Sequence, residues 1–263
     1  MKFIHITDLH LVAPYESLWG LKPFDRFDAC LKDIEEYHGD AEFCVISGDL
    51  ADRGDPEAYN ALRKRLESFP LKTFLMIGNH DDRHAFAKAF PDQPRDPNGF
   101  VQFEHHSNGA VFLFLDTLKE KSSAGEFCAP RRAWLTERLD AAHPAPVYIF
   151  MHHPPFDIEL PYMDRIKLED PEAFAASLGD RADIRHIFFG HVHRPVYVNW
   201  NGIPATALPA LNHQVPLHRD SVSWHYSDEP PMYAVIDVHQ DRLVINADCF
   251  LHRNDCKVPP NKR

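Results

Sequence analysis

The residues of this 263-residue chain that could do chemistry stand at the ends of five short apolar runs. Phe3-Ile4-His5-Ile6 leads into Thr7-Asp8-Leu9-His10, and Phe43 to Ile46 leads into Ser47-Gly48-Asp49. Later runs end in Gly78-Asn79-His80-Asp81, in Met151-His152-His153 and in Gly190-His191-Val192-His193. A strand that stops at the carboxyl edge of a sheet lifts the next side chains to where open α/β folds bind ligands. One Asp-x-His or Gly-Asp alone reads as a turn or a helix cap. Five such endings, each of metal-binding residue types, read as a metal site.

Histidine and carboxylate suit Zn, Mn or Fe rather than a thiolate-preferring metal, and no cysteine stands in any of the five endings. Two ions about 3.5 to 4 Å apart need a ligand shared between them. A carboxylate bridges with two oxygens and a neutral imidazole cannot, so Asp49, alone after its strand, is the natural bridge.

The elements that must position these groups follow from periodicity. Residues 3–6, 43–46 and 73–77 read as strands, separated by two helical patterns. The first carries Phe27, Leu31, Ile34 and Tyr37 at three- to four-residue spacing; the second opens at the Asp55-Pro56 cap and aligns Leu62, Leu66 and Phe69. The order βαβαβ predicts a sheet with helices on its faces. Residues 91–99 are turn chemistry, followed by strands near 100–104 and 110–115, a helix from Pro130 with Trp134, Leu135 and Leu139 inward, and a strand at 147–151. The stretch 156–170 has no clear period, and a loop of that length reads as a lid or binding loop. Asp170-Pro171 caps a short helix before a strand at 186–189.

From 194 to 250 the texture is β-rich. Val196 to Trp200, Asn201-Gly202 and Ile203 onward predict a hairpin with a type I′ turn, and Met232 to Val238 with Leu243 to Cys249 predict another. Between them, 208–231 is either a surface connection or a wall of the substrate cavity, through His213 or Trp224.

Composition supports one domain spanning 1–263: 44% apolar and 12% aromatic residues suffice for a single core. Lys2, His5 and Asp8 interrupt the N-terminal apolar run, and no run approaches the ~18 apolar residues of a membrane span, so a soluble, cytoplasmic protein is expected. Five cysteines form no paired framework, which fits a reducing compartment, although Cys249 or Cys256 could cross-link subunits of a homo-oligomer. A formal charge of −11 disfavours long nucleic acids, which need a basic face. It does not disfavour a small phosphate ester, because two divalent ions would make the pocket itself cationic.

Asp8-x-His10, Gly48-Asp49, Gly78-Asn79-His80-Asp81, His152 and Gly190-His191-x-His193 together resemble the calcineurin-like metallophosphoesterases. Gly-His-x-His, the small size and the Ala-Leu-Asn212-His213-Gln214-Val run are most similar to the class III cyclic-nucleotide phosphodiesterase and glycerophosphodiesterase branch. The resemblance implies a four-layer αββα sandwich with two mixed sheets flanked by helices. It assigns Asp8, His10, Asp49 and His193 to one divalent ion, and Asp49, Asn79, His152 and His191 to the other. His80 would contact the phosphate or protonate the leaving alkoxide, with Asp81 orienting it, while His153 would be a neighbour pointing away. The implied activity is hydrolysis of a small phosphodiester, such as a cyclic nucleotide or glycerophosphodiester, by in-line attack of a metal-bound hydroxide.

One departure is that Gly48-Asp49-Leu50-Ala51-Asp52-Arg53-Gly54 also resembles the protein serine/threonine phosphatases, in which the arginine holds phosphate. Asp81 and the Gly-His-x-His ending favour the smaller branch, leaving Arg53 as a loop residue near the mouth or a phosphate contact. Asn79 and His213 are further substrate contacts to test. The rival readings are a phosphomonoesterase, a nuclease and a scaffold that binds metal without catalysis.

Overall fold

A computed structural model describes residues 1–251. Helical crossovers bring three strands side by side in parallel: β1 (Lys2–Ile6), α1 (Pro23–His38), β2 (Cys44–Ser47), α2 (Pro56–Leu66) and β3 (Thr73–Met76). The Asp55 carboxylate accepts from Glu57 N at 2.8 Å, so α2 begins at the expected cap. A short helix, α3 (Arg83–Ala89), follows β3, capped by Asp82. It was not expected, because seven residues give too few turns for an apolar period to emerge.

The chain then enters a second sheet through β4 (Phe103–Ser107), β5 (Ala110–Phe114), α4 (Ala129–Ala142), β6 (Val147–Met151), α5 (Pro161–Asp164), α6 (Pro171–Leu178), β7 (Ile184–Phe189), β8 (Val196–Trp200) and β9 (Ile203–Ala207). The hairpin β8–β9 turns at Asn201 and Gly202, both at positive φ, as a type I′ turn requires. Finally β10 (Tyr233–Val238) and β11 (Leu243–Asp248) return to the first sheet, where β10 pairs antiparallel with β1.

The sheets run β11-β10-β1-β2-β3 and β4-β5-β6-β7-β9-β8, and both are mixed. Between them lies an aromatic core that includes Phe3, Phe43, Phe112, Phe150 and Phe188. Phe150 stacks on Phe188 with ring centres 4.7 Å apart, while Phe3 meets both edge-on. On its outer face the first sheet packs against α1, α2 and α3, and the second against α4 and α6. The result is the four-layer αββα sandwich. Two expected inward residues sit differently: Tyr37 is 48% exposed at the end of α1, and Trp134 is only half-buried beside Leu135 and Leu139. Phe69 is buried but lies beyond the end of α2.

Among the described residues, no helix is long and apolar enough to cross a membrane. Cys30, Cys44, Cys128 and Cys249 are free thiols, and Cys256 lies outside the described residues.

Candidate metal centre

The five endings converge where the carboxyl edges of the two sheets meet. β1 delivers Asp8 and His10, β2 Asp49, β3 Asn79 and His80, β6 His152, and β7 His191 and His193. Five of these residues have left-handed backbone: Asp8, His10, Asp49, His191 and His193 have φ between 46° and 69°. For non-glycine residues that conformation costs on the order of 1 kcal/mol or more and persists where surrounding structure enforces it, as at functional sites. The glycines of the endings make room. A Cβ on Gly78 would stand 2.3 Å from Asp49 Oδ1 and 2.5 Å from His152 Nε2.

In the first half of the site, ligand-type atoms of Asp8, His10, Asp49 and His193 all lie within 4.8 Å of one another. His193 Nε2 is 3.3 Å from Asp8 Oδ1, and His10 Nε2 is 3.5 Å from Asp49 Oδ2. The outer nitrogen of each ring is already engaged, His10 Nδ1 with Asp52 Oδ1 at 3.1 Å and His193 Nδ1 with the His213 carbonyl at 2.8 Å. Such partners fix the tautomer and turn Nε2 inward. Behind Asp8 runs a buried relay: Thr7 Oγ1 donates to Asp8 Oδ2 at 2.7 Å, Ser47 Oγ donates to Thr7, and His5 Nε2 lies 2.8 Å from Ser47 Oγ. Burial pushes His5 down to about 3, so its ring is neutral and Nε2 is the nitrogen that donates.

In the second half, Asn79 Oδ1, His152 Nε2 and His191 Nε2 are buried with no hydrogen-bond partner. His152 Nε2 stands 3.3 Å from Asp49 Oδ2, the oxygen that also faces His10, while His152 Nδ1 donates to the Ser47 carbonyl at 2.8 Å. Buried polar atoms without partners are rare in folded proteins. Three such atoms at one site fit a bound cation, and Asp49, whose Oδ2 faces both His10 and His152, lies between the two halves as a bridge would. Charge fits as well. Burial alone would raise the Asp8 and Asp49 carboxyls, but the facing histidines outweigh it and hold both below the usual carboxylate range. Burial would lower His152, yet Asp49 and Asp8 lift it to about 9; a bound cation would take the place of that proton.

The sequence profile of the calcineurin-like phosphoesterases matches residues 1–195, a span that contains all five endings. The chain belongs to that family. It is 40% identical over 258 residues to a probable cyclic nucleotide phosphodiesterase of Rhodopseudomonas palustris, covering 96% of this chain and 93% of the relative. A glycerophosphodiester phosphodiesterase of Enterobacter lignolyticus is 27% identical over 236 residues, covering 88% and 84% respectively. Among solved structures, a dimetal phosphatase from Danio rerio superposes with a TM-score of 0.72 over 95% of this chain and 96% of its own, at 16% identity, a likeness of fold alone.

Over the metal centre of this phosphoesterase opens a cavity of about 250 Å³. His80, Asn79 and His213 line it, and so does Trp224. His80 N donates to Asp49 Oδ1 at 2.9 Å and His80 Nδ1 donates to the Asp52 carbonyl at 2.7 Å, leaving Nε2 for a substrate. Burial would lower the His80 pKa, but Asp49 and Asp52 outweigh it and raise it, so the ring is disposed to carry a proton. The segment 156–170 supplies Tyr162, Met163 and Ile166 to the cavity wall.

Two expectations, for Asp81 and His153, need correction, and for Arg53 the loop-residue alternative holds over the phosphate contact. Asp81 does not bond the His80 ring: its carboxylate accepts from the N–H groups of Leu50, Ala51 and Gly78 and from the Tyr59 hydroxyl, so it shapes the loops that carry Asp49 and Asn79. The residue beside His80 is Asp52. Arg53 points outward with its side chain 82% exposed and is absent from the cavity wall. His153 does not point away: its ring packs 4.5 Å from that of His191, Nδ1 lies 2.7 Å from Thr117 Oγ1, and Nε2 is buried without a partner. Sequence reasoning missed Asp52 and the wall residue Trp19; the only signal for Asp52 was its place in Gly48-Asp49-Leu50-Ala51-Asp52.

Proposed function

We propose that the chain is a dinuclear metal-dependent phosphodiesterase acting on small phosphodiesters. The observation that carries this reading is the trio of unpartnered buried atoms, Asn79 Oδ1, His152 Nε2 and His191 Nε2, of which His152 Nε2 stands 3.3 Å from Asp49 Oδ2. Asp8, His10, Asp49 and His193 would hold one divalent ion, and Asp49, Asn79, His152 and His191 the other. The donor set, oxygen and imidazole without thiolate, suits Fe, Mn or Zn. When bound, such ions lower the pKa of coordinated water and neutralise charge on phosphoryl oxygens. The protein does the rest. Asp52 and the His213 carbonyl hold the imidazoles in one tautomer. His80, whose pKa Asp49 and Asp52 raise against the opposing effect of burial, lies where it can hydrogen-bond the phosphate or give a proton to the departing alkoxide.

The diester class is supported by the two relatives named as phosphodiesterases and by a cavity sized for one small ester. Tyr162, Met163 and Ile166 on the wall support reading 156–170 as a lid within one domain. Four free cysteines among the described residues support a cytoplasmic setting.

Assay with bis(p-nitrophenyl) phosphate and p-nitrophenyl phosphate, before and after chelation and with Mn²⁺ returned, tests the reading. Diester turnover that vanishes on chelation and returns with metal is the expected result. Turnover that survives chelation, or is confined to the monoester, would overturn it.

A further inference from the structure

The cavity has two unlike walls. Beside the His and Asp cluster stand aromatic side chains: Trp19 and Trp224 line the cavity, and Tyr226 lies against both. Trp19 and Tyr226 are stacked with ring centres 4.9 Å apart, and Trp224 and Tyr226 are stacked at 5.4 Å. Trp19 and Trp224 also touch, with ring centres 4.8 Å apart at 54°, yet all three residues keep exposed surface, between 36% and 45%, so the cluster is not sealed in the core. A partly exposed aromatic cluster lining a cavity beside a charged centre is a binding feature, because contiguous water-exposed apolar surface marks ligand sites.

The wall is built, not incidental. Trp19 comes from the loop after β1, where Leu18 and Leu21 exchange backbone hydrogen bonds at 2.9 Å. Trp224 and Tyr226 come from 208–231, pinned by paired bonds between Gln214 and Ser227 of 3.0 and 2.8 Å. Trp19 also meets the His213 ring edge-on at 4.2 Å, and that ring is 4.4 Å from His193. The aromatic faces are thus one ring removed from the metal centre, held by the same loop whose His213 carbonyl orients His193.

We infer that Trp19 and Trp224, backed by Tyr226, form a stacking subsite for a planar group carried by the alcohol that is esterified to the phosphate. A diester carrying a heteroaromatic ring of nucleobase type is therefore favoured over one carrying only aliphatic alcohols. This rests on the phosphodiesterase reading. Stacking is suited to the task, since two rigid tryptophan faces lose little entropy on binding and accept any flat ring.

The test compares adenosine 5′-monophosphate with ribose 5-phosphate, which share phosphate and sugar and differ in the ring. Titration calorimetry on the Mn²⁺-saturated protein should find the nucleotide bound roughly 5- to 150-fold more tightly, the range of one stacked base. Tryptophan fluorescence should respond to the nucleotide alone. In a Trp19→Ala/Trp224→Ala double variant the preference should vanish while ribose 5-phosphate affinity stays as in the wild type, and Trp224→Phe should restore part of it. Equal affinity for both ligands in the wild type overturns the inference. So does a double variant that keeps the preference, or one that weakens both ligands by the same factor, for then the aromatics only brace His213. Hydrolysis of bis(p-nitrophenyl) phosphate by the wild type separates the failures: without it the functional reading fails and this inference with it, whereas with it only the subsite is lost.

Discussion

Asp52 Oδ1 lies 3.1 Å from His10 Nδ1, so the carboxylate holds the imidazole from behind and leaves Nε2 to face Asp49 and His193. Asp52 is buried, and although burial favours its neutral form, the bond from His10 outweighs that and keeps its pKa low. Asp52→Ala should therefore lower metal affinity of the first site by about 10- to 100-fold while leaving the second occupied. Calorimetric metal titration resolves the two events. Unaltered affinity at both sites would show that packing alone orients His10.

Asp49 stands 3.5 Å from His10 and 3.3 Å from His152 through the same oxygen. Removing it should empty both halves of the centre, whereas Asp8→Ala should spare the Asn79, His152 and His191 half. Elemental analysis after gel filtration would read close to two ions for the wild type, one for Asp8→Ala and none for Asp49→Ala. An Asp49→Ala protein that keeps one ion rules out the bridge.

The convergence of these side chains was legible because metal-binding residue types at strand ends form a pattern local in the chain. Their backbone was not: Asp8, His10, Asp49, His191 and His193 adopt positive φ, which is uncommon outside glycine and is held by the surrounding structure. Through-space partners were also hidden. Asp81 follows His80 in sequence, yet its carboxylate turns beneath the loop to bind backbone N–H groups, and Asp52, 28 positions from His80, takes the place beside the ring. His153 shows the same limit, since only the fold reveals that Thr117, three residues beyond β5, ties its Nδ1. The βαβαβ order gave only a sheet with helices on its faces, and the αββα layering came from the family resemblance, while α3 was too short to leave a period.

His186 offers a pH signature remote from the metal centre. It is buried, with Nε2 2.9 Å from Thr206 Oγ1, and burial pushes its pKa from the ordinary 6.5 to about 4. Above pH 6.5 both folded and unfolded chains carry it neutral, so it leaves stability unchanged there. Below that, the unfolded chain takes up a proton that the folded one refuses, and stability falls until the folded group titrates near pH 4. The loss from this group between pH 7 and 4.5 is about 2 to 3 kcal/mol. Urea unfolding should show His186→Gln losing less stability than the wild type over that interval, by about this amount. Parallel pH dependence of the two proteins would exclude the effect.

His80 separates proton donation from metal binding. Its Nδ1 is spent on the Asp52 carbonyl and its N–H on Asp49 Oδ1, so the ring sits at the rim of the centre with Nε2 free and a raised pKa. His80→Ala should keep both ions by elemental analysis and lower turnover on the order of 10²- to 10⁴-fold, the span of a lost acid–base group. The leaving group then tells which role is lost. A poor alkoxide leaving group needs a proton as the ester bond breaks, whereas p-nitrophenolate departs with little help. If His80 is the proton donor, the variant should lose far more on a glycerol or ribose diester than on bis(p-nitrophenyl) phosphate. Equal losses on both substrates would make it a phosphate-binding group, and loss of an ion would place it among the metal ligands.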